Sequence, residues 1–384
     1  MKISVLCFDL GNNAAGRALL LARLLEPLGD VEVVGPSSKS ALWEPGRSED
    51  IPYRMLPVTR LPRFAASIRT LTRLADGDLV YASKPRLASA GIGYLKRLLG
   101  RTPLLLDIDD WEVGFSLHSG FWGVVGRALS LSNPAGLPWT WLMERLSFVA
   151  DGLTVASRFL QRRFGGTLIP HVRDTDAWRP GGVDPAPIRA QLGVGKERLV
   201  MFLGTPRAYK GVEDLCGAVD RLRGANVALA LVGTDPSSPV GRDIEQRHPG
   251  VRLAGQVPFA EVPRYLAAAD VVAVPQRDTS DTRGQVPAKI FDAMALGRPI
   301  VSTRVSMIPE ILEECGVLVP AGDVDALSRA IAHLVDHPDE AAALGARARE
   351  RCVARYSFAA ARRDLFPLVE RVLEARRSGA GKRD

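Results

Sequence analysis

Two cationic side chains, Arg207 and Lys210, lie three residues apart in the stretch GTPRAYKG, residues 204–211. The five residues before it, LVMFL, are apolar, and such a run is typical of a strand buried on both faces of a parallel sheet. Both cations, with Gly204 before them, are therefore expected at the carboxyl end of a strand. There they could neutralise a diphosphate as it leaves a sugar. A solvated basic turn is the alternative, since most surface lysines have no such role.

A second candidate is the stretch VPAKIFDAMALGRPIV, residues 286–301. It predicts a helix that carries an acid in its first half, ends at a glycine and leads into a strand. The carboxylate of Asp292 could accept both hydroxyls of a ribose. Lys289, one turn earlier, could meet a phosphate or form a salt bridge with Asp292 itself. Both interpretations of Lys289 stay open from the sequence.

A third candidate is the loop GNNAAG, residues 11–16, which follows the first apolar run and opens a predicted helix. The small residues Gly11 and Gly16, with Asn12 between them, would let backbone N–H groups approach a phosphate or sugar at the positive end of that helix. The loop matches neither GxGxxG nor a phosphate loop. A plain turn between strand and helix is an equal alternative.

The fourth candidate is an acidic run in which Asp107, Asp109, Asp110 and Glu112 fall within six residues. These carboxylates repel one another unless something bridges or solvates them. A metal ion would need more ligands at fixed spacing than the run offers, so no metal site is predicted and hydrogen bonding to sugar hydroxyls is the favoured interpretation. For His118, which follows the run, a structural role is as well supported as a catalytic one.

Length and charge bound the class of protein. With 384 residues and a net charge of +7, the chain suits a two-domain enzyme with an anionic partner. The charge is too mild to indicate nucleic acid. The four cysteines form no CxxC pair, and the amino terminus lacks a signal-peptide pattern, so a cytoplasmic location is expected. The longest apolar stretch, near residues 128–143, is broken by prolines and glycines and cannot span a bilayer.

Strand-length apolar runs alternate with helical segments throughout, which predicts an α/β protein with two doubly wound, Rossmann-like domains facing across a cleft. The predicted strands are 3–8, 31–34, 79–81, 103–106 and 153–155, then 199–203, 227–232, 251–253, 271–274 and 300–302. A segment dense in proline and glycine predicts a linker. The predicted parts are an amino-terminal acceptor-side domain (1–170), the linker (171–187), a nucleotide-sugar-binding domain (188–362) and a carboxyl-terminal helix and basic tail (363–384), the helix packing back toward the first domain.

Together these stretches resemble the retaining glycosyltransferases of family 4, which have the GT-B fold, over nearly the whole chain. The strongest part is residues 199–320. There LVMFLGTPRAYKGVEDLCGAV is similar to the family's glycine–Arg/Lys–Lys–Gly element, VRLAGQVPFAEVPRYLAAADVVAVP to its base-flanking unit, and VPAKIFDAMALGRPIVSTRVSMIPEIL to its donor-binding helix. SRFLQRRFGGTLIPHVRD resembles the family's entry into its second domain, and GNNAAG its first glycine loop.

The resemblance assigns roles unevenly. Lys210 takes the position of the family's diphosphate lysine, whereas Thr205 stands where the family usually has an arginine, which leaves Arg207 as the second cation. The family commonly has two glutamates eight residues apart, on the sugar and on the ribose. Here those positions hold Gly284 and Asp292.

Two further features carry over. Pro287 and Lys289 belong to a Pro-Ala-Lys variant that resembles a branch associated with bacterial surface polysaccharides and glycolipids. Many members have a sugar-contacting histidine after the fourth strand, a role for which His118 and Asp110 are the candidates here.

The resemblance implies transfer of a sugar, with retention, from a nucleoside diphosphate (UDP or GDP) to an acceptor hydroxyl, without a metal or other cofactor. A sugar-nucleotide 2-epimerase of the same fold and a non-catalytic nucleotide-sugar-binding protein are the alternatives. The acceptor would be a sugar, a lipid-linked sugar or a small molecule. An amphipathic segment, residues 61–74, and a tryptophan-rich region, residues 111–142, would suit peripheral contact with the inner face of the cell membrane, or they pack against their own domain.

Overall fold

The computed structural model describes residues 1–48, 50–117, 126 and 130–380. The chain divides into two compact units. Unit 1 comprises Met1–His171 and Ala361–Asp384, and unit 2 comprises Val172–Ala360. Each unit is built on one parallel sheet.

Among the described residues, unit 1 has seven strands in one sheet: β1 (Lys2–Cys7), β2 (Asp30–Ser37), β3 (Tyr53–Pro57), β4 (Leu79–Ser83), β5 (Leu104–Ile108), β6 (Gly152–Val155) and β7 (Thr167–Leu168). Their order is β3-β2-β1-β4-β5-β6-β7. The chain order therefore reverses between β1 and β4, which is the point where doubly wound sheets bind ligands. Cys7 pairs with Ser83 and Ser83 with Asp107, so β1, β4 and β5 end together.

The described helices of unit 1 are α1 (Ala14–Leu25), α2 (Phe64–Leu74), α3 (Ile92–Leu99), α4 (Glu112–Leu117), α5 (Leu137–Arg145) and α6 (Arg158–Phe164). The long terminal helix, Phe358–Ala380, contributes its residues from Ala361 onward. In that helix Leu365 and Val369 are buried, and the Arg362 guanidinium donates to the carbonyls of Leu24 and Arg23 at 3.0 and 2.8 Å. These contacts anchor the helix on α1.

The described sheet of unit 2 has six strands: β8 (Arg198–Leu203), β9 (Val227–Val232), β10 (Arg252–Ala254), β11 (Val271–Val274), β12 (Ile300–Thr303) and β13 (Val317–Val319). Their order, β10-β9-β8-β11-β12-β13, again reverses, here between β8 and β11. Val271 pairs with Val200, and Val272 pairs with Ile300, so the ends of these three strands form one edge.

The described helices of unit 2, in chain order, are α7 (Ala186–Gln191), α8 (Val212–Asp220), α9 (Pro239–Arg247), α10 (Val262–Ala268), α11 (Ser280–Arg283), α12 (Ala288–Ala295), α13 (Ile308–Leu312), α14 (Val324–Asp336) and α15 (Pro338–Arg355); the terminal helix, Phe358–Ala380, is α16. Helices α8 and α14 pack on a core that includes Val200, Leu215 and Leu327. This core fixes β8, and with it the loop that carries Lys210.

The prediction of two doubly wound α/β domains is confirmed, and each of the ten predicted strands coincides with an observed one. Three strands were missed: β3, β7 and β13. All three are edge strands, and most of their residues are partly exposed. Edge strands need no apolar run, because only part of their surface is buried.

Candidate active site

The loop that carries Lys210 is held rigidly at the end of β8. Gly204 has φ of +140°, residues Ala208–Lys210 form a single 3-10 turn, and Gly211, with φ of +67°, begins α8. A Cβ on Gly211 would lie 1.9 Å from the carbonyl oxygen of Pro275, so only glycine fits there. Eight residues, 204–211, thus connect the strand to the helix, and Lys210 lies in the turn.

A salt bridge fixes the same loop from the side. The Arg277 guanidinium donates to both oxygens of Asp214 at 2.8 and 2.6 Å, and the Arg277 backbone N–H donates to the Tyr209 carbonyl at 2.8 Å. Asp214 lies in the first turn of α8, where its charge also suits the positive end of the helix. The position of Lys210 is therefore set by the fold and does not depend on a bound ligand.

Lys210 lies among other cations. Its ammonium donates to the Thr205 carbonyl at 3.0 Å, and within the described part of the chain it forms no ion pair with a carboxylate. Burial, together with the charges of Lys289 and Arg207, lowers the pKa of Lys210 to about 8. Arg207 itself is exposed. Such a group of like charges is unfavourable in the empty protein and becomes favourable when an anion binds.

Asp292 and Lys289 lie on the first two turns of α12, which begins immediately after Pro287. The Asp292 carboxylate is 1% exposed, and the Lys289 ammonium lies 3.1 Å from its Oδ2. The salt-bridge alternative for Lys289 is therefore present in the structure. Gly284, the position where the family resemblance expects an acid, ends the short helix α11.

Sequence reasoning missed Arg173, whose Nε donates to Oδ1 of Asp292. Burial raises the pKa of Asp292, but the charges of Arg173 and Lys289 outweigh it and hold that pKa below its usual range. Arg173 lies in the segment predicted as a linker, and a single arginine among prolines and glycines gives no signal for a partner 119 residues away.

In unit 1 the glycine loop is closed by its own hydrogen bonds. Asp9 accepts from the backbone N–H groups of Gly11 and Ser38, each at 2.9 Å, and from the side chain of Asn12 at 2.8 Å. Asn12 in turn accepts from the N–H of Ala14. A Cβ on Gly11 would lie 2.8 Å from the backbone nitrogen of Lys39, so packing alone already requires this glycine.

Gly16, the last glycine of this loop, lies in the first turn of α1, and its N–H donates to the Asn13 carbonyl at 3.2 Å. Hydrogen bonds within unit 1 thus hold the loop in place, as expected if it is a plain turn between strand and helix. The predicted contacts of Gly11, Asn12 and Gly16 with a donor stay predictions.

Lysine and arginine side chains bridge the acidic run after β5. The Lys84 ammonium lies 2.9 Å from Asp109, 2.7 Å from Asp110 and 2.9 Å from Glu112, and Arg86 binds the other oxygen of Glu112. The three carboxylates also lie close enough together to bind a metal ion, but the lysine ammonium already supplies a positive charge to all three. Sequence reasoning missed both bridging residues, which follow β4 in the motif Lys-Pro-Arg.

Asp107 belongs to a separate pair. The Arg17 guanidinium donates to both of its oxygens, at 2.9 and 2.8 Å, and to the carbonyls of Ile169 and Pro170. The two side chains are buried almost completely. Asp107 is thus unavailable to a sugar hydroxyl, and Asp110, 18% exposed, is the most open carboxylate of the run.

Two carboxyl groups of the run, those of Asp109 and Glu112, titrate differently. Burial raises the pKa of Asp109 to about 7, with Asp110 and Asp107 adding to the rise and Lys84 opposing it. For Glu112 burial also acts upward, but Arg86 and Lys84 outweigh it and lower the pKa to about 2. Glu112 is therefore the charged partner of the two cations, and Asp109 is the group that can hold a proton near neutral pH.

His118 and Trp122 lie outside the described residues. Of the other tryptophans in this region, Trp111 stacks under the Arg163 guanidinium at 4.5 Å, and Trp139 donates from its indole nitrogen to the Leu131 carbonyl at 2.8 Å. Trp141 is half exposed. Helix α2 buries Phe64 and Leu71, so it covers its own domain. Within the described ranges, every helix is too short or too polar to cross a bilayer.

Comparison with known proteins finds similar glycosyltransferases. Residues 197–337 match the family model described as "Glycosyl transferases group 1". The GDP-mannose-dependent alpha-(1-6)-phosphatidylinositol monomannoside mannosyltransferase of Mycolicibacterium smegmatis is 29% identical over 375 residues, which are 91% of this chain and 92% of that protein. The chain is a glycosyltransferase, and its residues 197–337 are similar to the group 1 family.

Solved structures agree on the fold of this glycosyltransferase. Sucrose-phosphate synthase from Thermosynechococcus elongatus superposes with a TM-score of 0.72 at 21% identity, covering 98% of this chain and 100% of that one. HepE of Anabaena in complex with UDP-glucose gives 0.73 at 19% identity, covering 97% and 99%. These identities support the GT-B fold alone, with its two Rossmann-like domains.

The predicted site residues of the glycosyltransferase fall into two groups. Unit 2 holds Gly204, Arg207, Lys210, Pro287, Lys289 and Asp292. Unit 1 holds Gly11, Asn12, Gly16 and Asp110. In unit 2 the charge of Lys289 acts on Lys210, and Lys289 also forms a salt bridge with Asp292, so Lys289 links the other two charged side chains.

Proposed function

We propose that this glycosyltransferase moves a mannosyl or related hexosyl group from a nucleoside-diphosphate sugar to an acceptor hydroxyl, with retention and without a metal ion. The reaction would serve the synthesis of a bacterial polysaccharide, glycolipid or glycoside. No finding favours the epimerase or the non-catalytic binding protein.

The observation that carries the proposal is the position of Lys210. Its ammonium is partly buried near the charges of Lys289 and Arg207, and in the described chain it forms no ion pair with a carboxylate. A diphosphate gains negative charge as its bond to the sugar breaks, and preorganised cations stabilise that charge without rearrangement. Lys210 would thus do the work that a metal ion does in other transferases.

Donor and stereochemistry are proposed from the relatives. The mannosyltransferase of M. smegmatis is named as GDP-mannose-dependent and as forming an alpha linkage. GDP-mannose is itself an α-glycoside, so an alpha product means retention. We take GDP as the favoured nucleotide and UDP as the second choice.

The acceptor would bind on unit 1. Asp110 would accept a hydrogen bond from the acceptor hydroxyl, because it is the most open carboxylate of the acidic run. Trp141 and Phe148 are exposed, and Arg145 lies 5.4 Å from the Trp141 ring. Exposed aromatic and cationic side chains suit peripheral contact with anionic lipid at the inner face of the membrane. A nucleic-acid partner is not part of the proposal.

A thermal-shift panel with UDP, GDP, ADP and TDP tests the donor half of the proposal. A nucleotide present at a hundredfold excess over its Kd stabilises the fold by about 3 kcal/mol, so we expect a clear rise in Tm with GDP. A rise with UDP alone would replace the donor, and no rise with any of the four at millimolar concentration would overturn the proposed function.

Lys210→Ala tests the chemical half. We expect sugar transfer to fall about a hundredfold to a thousandfold, because a donor to the developing negative charge is lost. The matched control is Lys196→Ala, an exposed lysine before the same strand, which should transfer at the wild-type rate. Transfer in Lys210→Ala at the control rate would contradict the role given to Lys210.

A further inference from the structure

Arg173 is fixed by backbone pairing at the start of unit 2. Its N–H donates to the Tyr356 carbonyl, and its own carbonyl accepts from the Phe358 N–H, both at 3.0 Å. The Tyr356 ring packs edge-on against Phe291, with centroids 5.0 Å apart. Phe291 precedes Asp292 in α12, so the packing that anchors Arg173 also anchors the helix it contacts.

The guanidinium of Arg173 has little freedom. Nη1 donates to the Val172 carbonyl at 2.7 Å, Nε donates to Asp292, and the Trp178 ring lies 5.6 Å away. Its side chain is 14% exposed, half the 28% of Lys289. Of the two cations on Asp292, Arg173 is therefore the fixed one and Lys289 the mobile one.

With both cations in place, Asp292 cannot accept a ribose hydroxyl, since it is 1% exposed. One cation must move first, and a buried carboxylate that loses all its partners costs several kcal/mol. The donor's diphosphate is a natural new partner for Lys289, because the charge of Lys289 already acts on Lys210. If Lys289 turns to the diphosphate, Arg173 still neutralises Asp292, and Oδ2 becomes open.

We propose that Arg173 is the positioning residue of the ribose subsite: it remains on Asp292 as counter-ion, so that Lys289 can move to the donor's diphosphate and uncover Oδ2 for the ribose hydroxyls. This inference rests on the proposed function. Arg173 itself does not touch the donor. It sets how much of the donor affinity comes from the ribose.

The test compares a nucleoside diphosphate with its 2′,3′-dideoxy counterpart by calorimetry, using GDP or whichever nucleotide of the panel binds best. For the wild type we expect the dideoxy nucleotide to bind about tenfold more weakly, because hydrogen bonds to a charged acceptor are lost. In Arg173→Gln that ratio should fall to within about twofold, since Lys289 must then stay on Asp292.

Two further variants separate positioning from general stability. Arg349→Gln is the matched control, because Arg349 bonds only to the carbonyls of Thr175, Trp178 and Ala295 in the described chain; it should lower Tm and keep the tenfold ratio. Asp292→Asn should lose the ratio as Arg173→Gln does, and it serves if the latter fails to fold.

Each outcome of these titrations supports or overturns the inference. A ratio near tenfold in Arg173→Gln, or near tenfold in Asp292→Asn, overturns the inference, and so does a wild type that binds both nucleotides equally. A wild type that binds no nucleoside diphosphate overturns the proposed function instead. The two failures are therefore distinguishable in one set of titrations.

Discussion

The charged groups at the carboxyl edges of the two sheets differ in their partners, because among the described residues those of unit 1 form ion pairs and Lys210 of unit 2 does not. After β5 in unit 1, Lys84 lies within 3 Å of three carboxylates, at 2.9, 2.7 and 2.9 Å, and Arg17 pairs with Asp107. After β8 in unit 2, Lys210 has only cations as charged neighbours that shift its pKa. Removing one partner from a buried, paired cluster destabilises the fold, whereas a cluster of like charges becomes favourable when an anion binds.

The largest expected effect on stability comes from breaking a buried ion pair in unit 1. Arg17→Ala leaves the Asp107 carboxylate buried without its cation, and it also leaves two carbonyls, of Ile169 and Pro170, without a donor. We expect the free energy of unfolding of unit 1 to fall by about 3 to 5 kcal/mol. Urea denaturation followed by circular dichroism measures it.

Arg97→Ala is the control for this prediction. The Arg97–Asp151 pair spans 2.7 Å in the same unit but is well exposed, so its loss should cost less than about 1 kcal/mol. If Arg17→Ala costs no more than Arg97→Ala, the pairing in unit 1 is not what stabilises it.

The same contrast explains what the sequence could predict. The central strands were predicted because a run such as LVMFL is buried on both faces. Lys210 stood out because the strand end and the following glycine fix its position locally. The apolar run, Lys210 and the following glycine lie within about fifteen residues of one another, so a short stretch of sequence is enough to predict them.

The partners of these residues could not be predicted in the same way. Lys84 and Glu112 are 28 residues apart, and Arg17 and Asp107 are 90 apart, so only the strand order brings them together. Arg173 lies 119 residues from Asp292. The acids were visible in the sequence and their counter-ions were not, because charge pairing across a sheet leaves no periodic pattern.

Nucleotide binding by unit 2 is expected to depend on pH. The pKa of Lys210 is lowered to about 8 in the unliganded protein. The protonated form binds the diphosphate, so affinity is full below pH 8 and falls above it, and binding takes up a proton. Calorimetry with GDP, or with the nucleotide of the panel that binds best, should show about a tenfold weaker Kd at pH 9 than at pH 7.

Lys210→Arg is the control, because a guanidinium keeps its charge throughout this range. Its Kd should change little between pH 7 and pH 9, although binding at pH 7 need not equal the wild type. A wild type with a pH-independent Kd would mean that Lys210 does not meet the diphosphate.

The smallest expected effect concerns stability without a ligand. Because the folded-state pKa of Lys210 is lowered, the folded chain binds fewer protons than the unfolded chain above pH 8, and the charged lysine destabilises the fold at pH 7. Lys210→Met keeps the apolar stem and removes the charge. Since Lys210 is partly exposed, we expect a gain of only about 1 kcal/mol, or a rise in Tm of about 2 to 4 °C at pH 7.

Lys196→Met should leave Tm unchanged, because Lys196 is exposed. The gain in Lys210→Met should shrink at pH 10, where the wild-type lysine is already neutral in the fold. A loss of stability in Lys210→Met would make Lys210 a structural cation like Lys84, and the contrast between the two sheet edges would disappear. A gain in stability together with lost nucleotide binding would instead show that unit 2 retains an unfavourable charge because its ligand requires it.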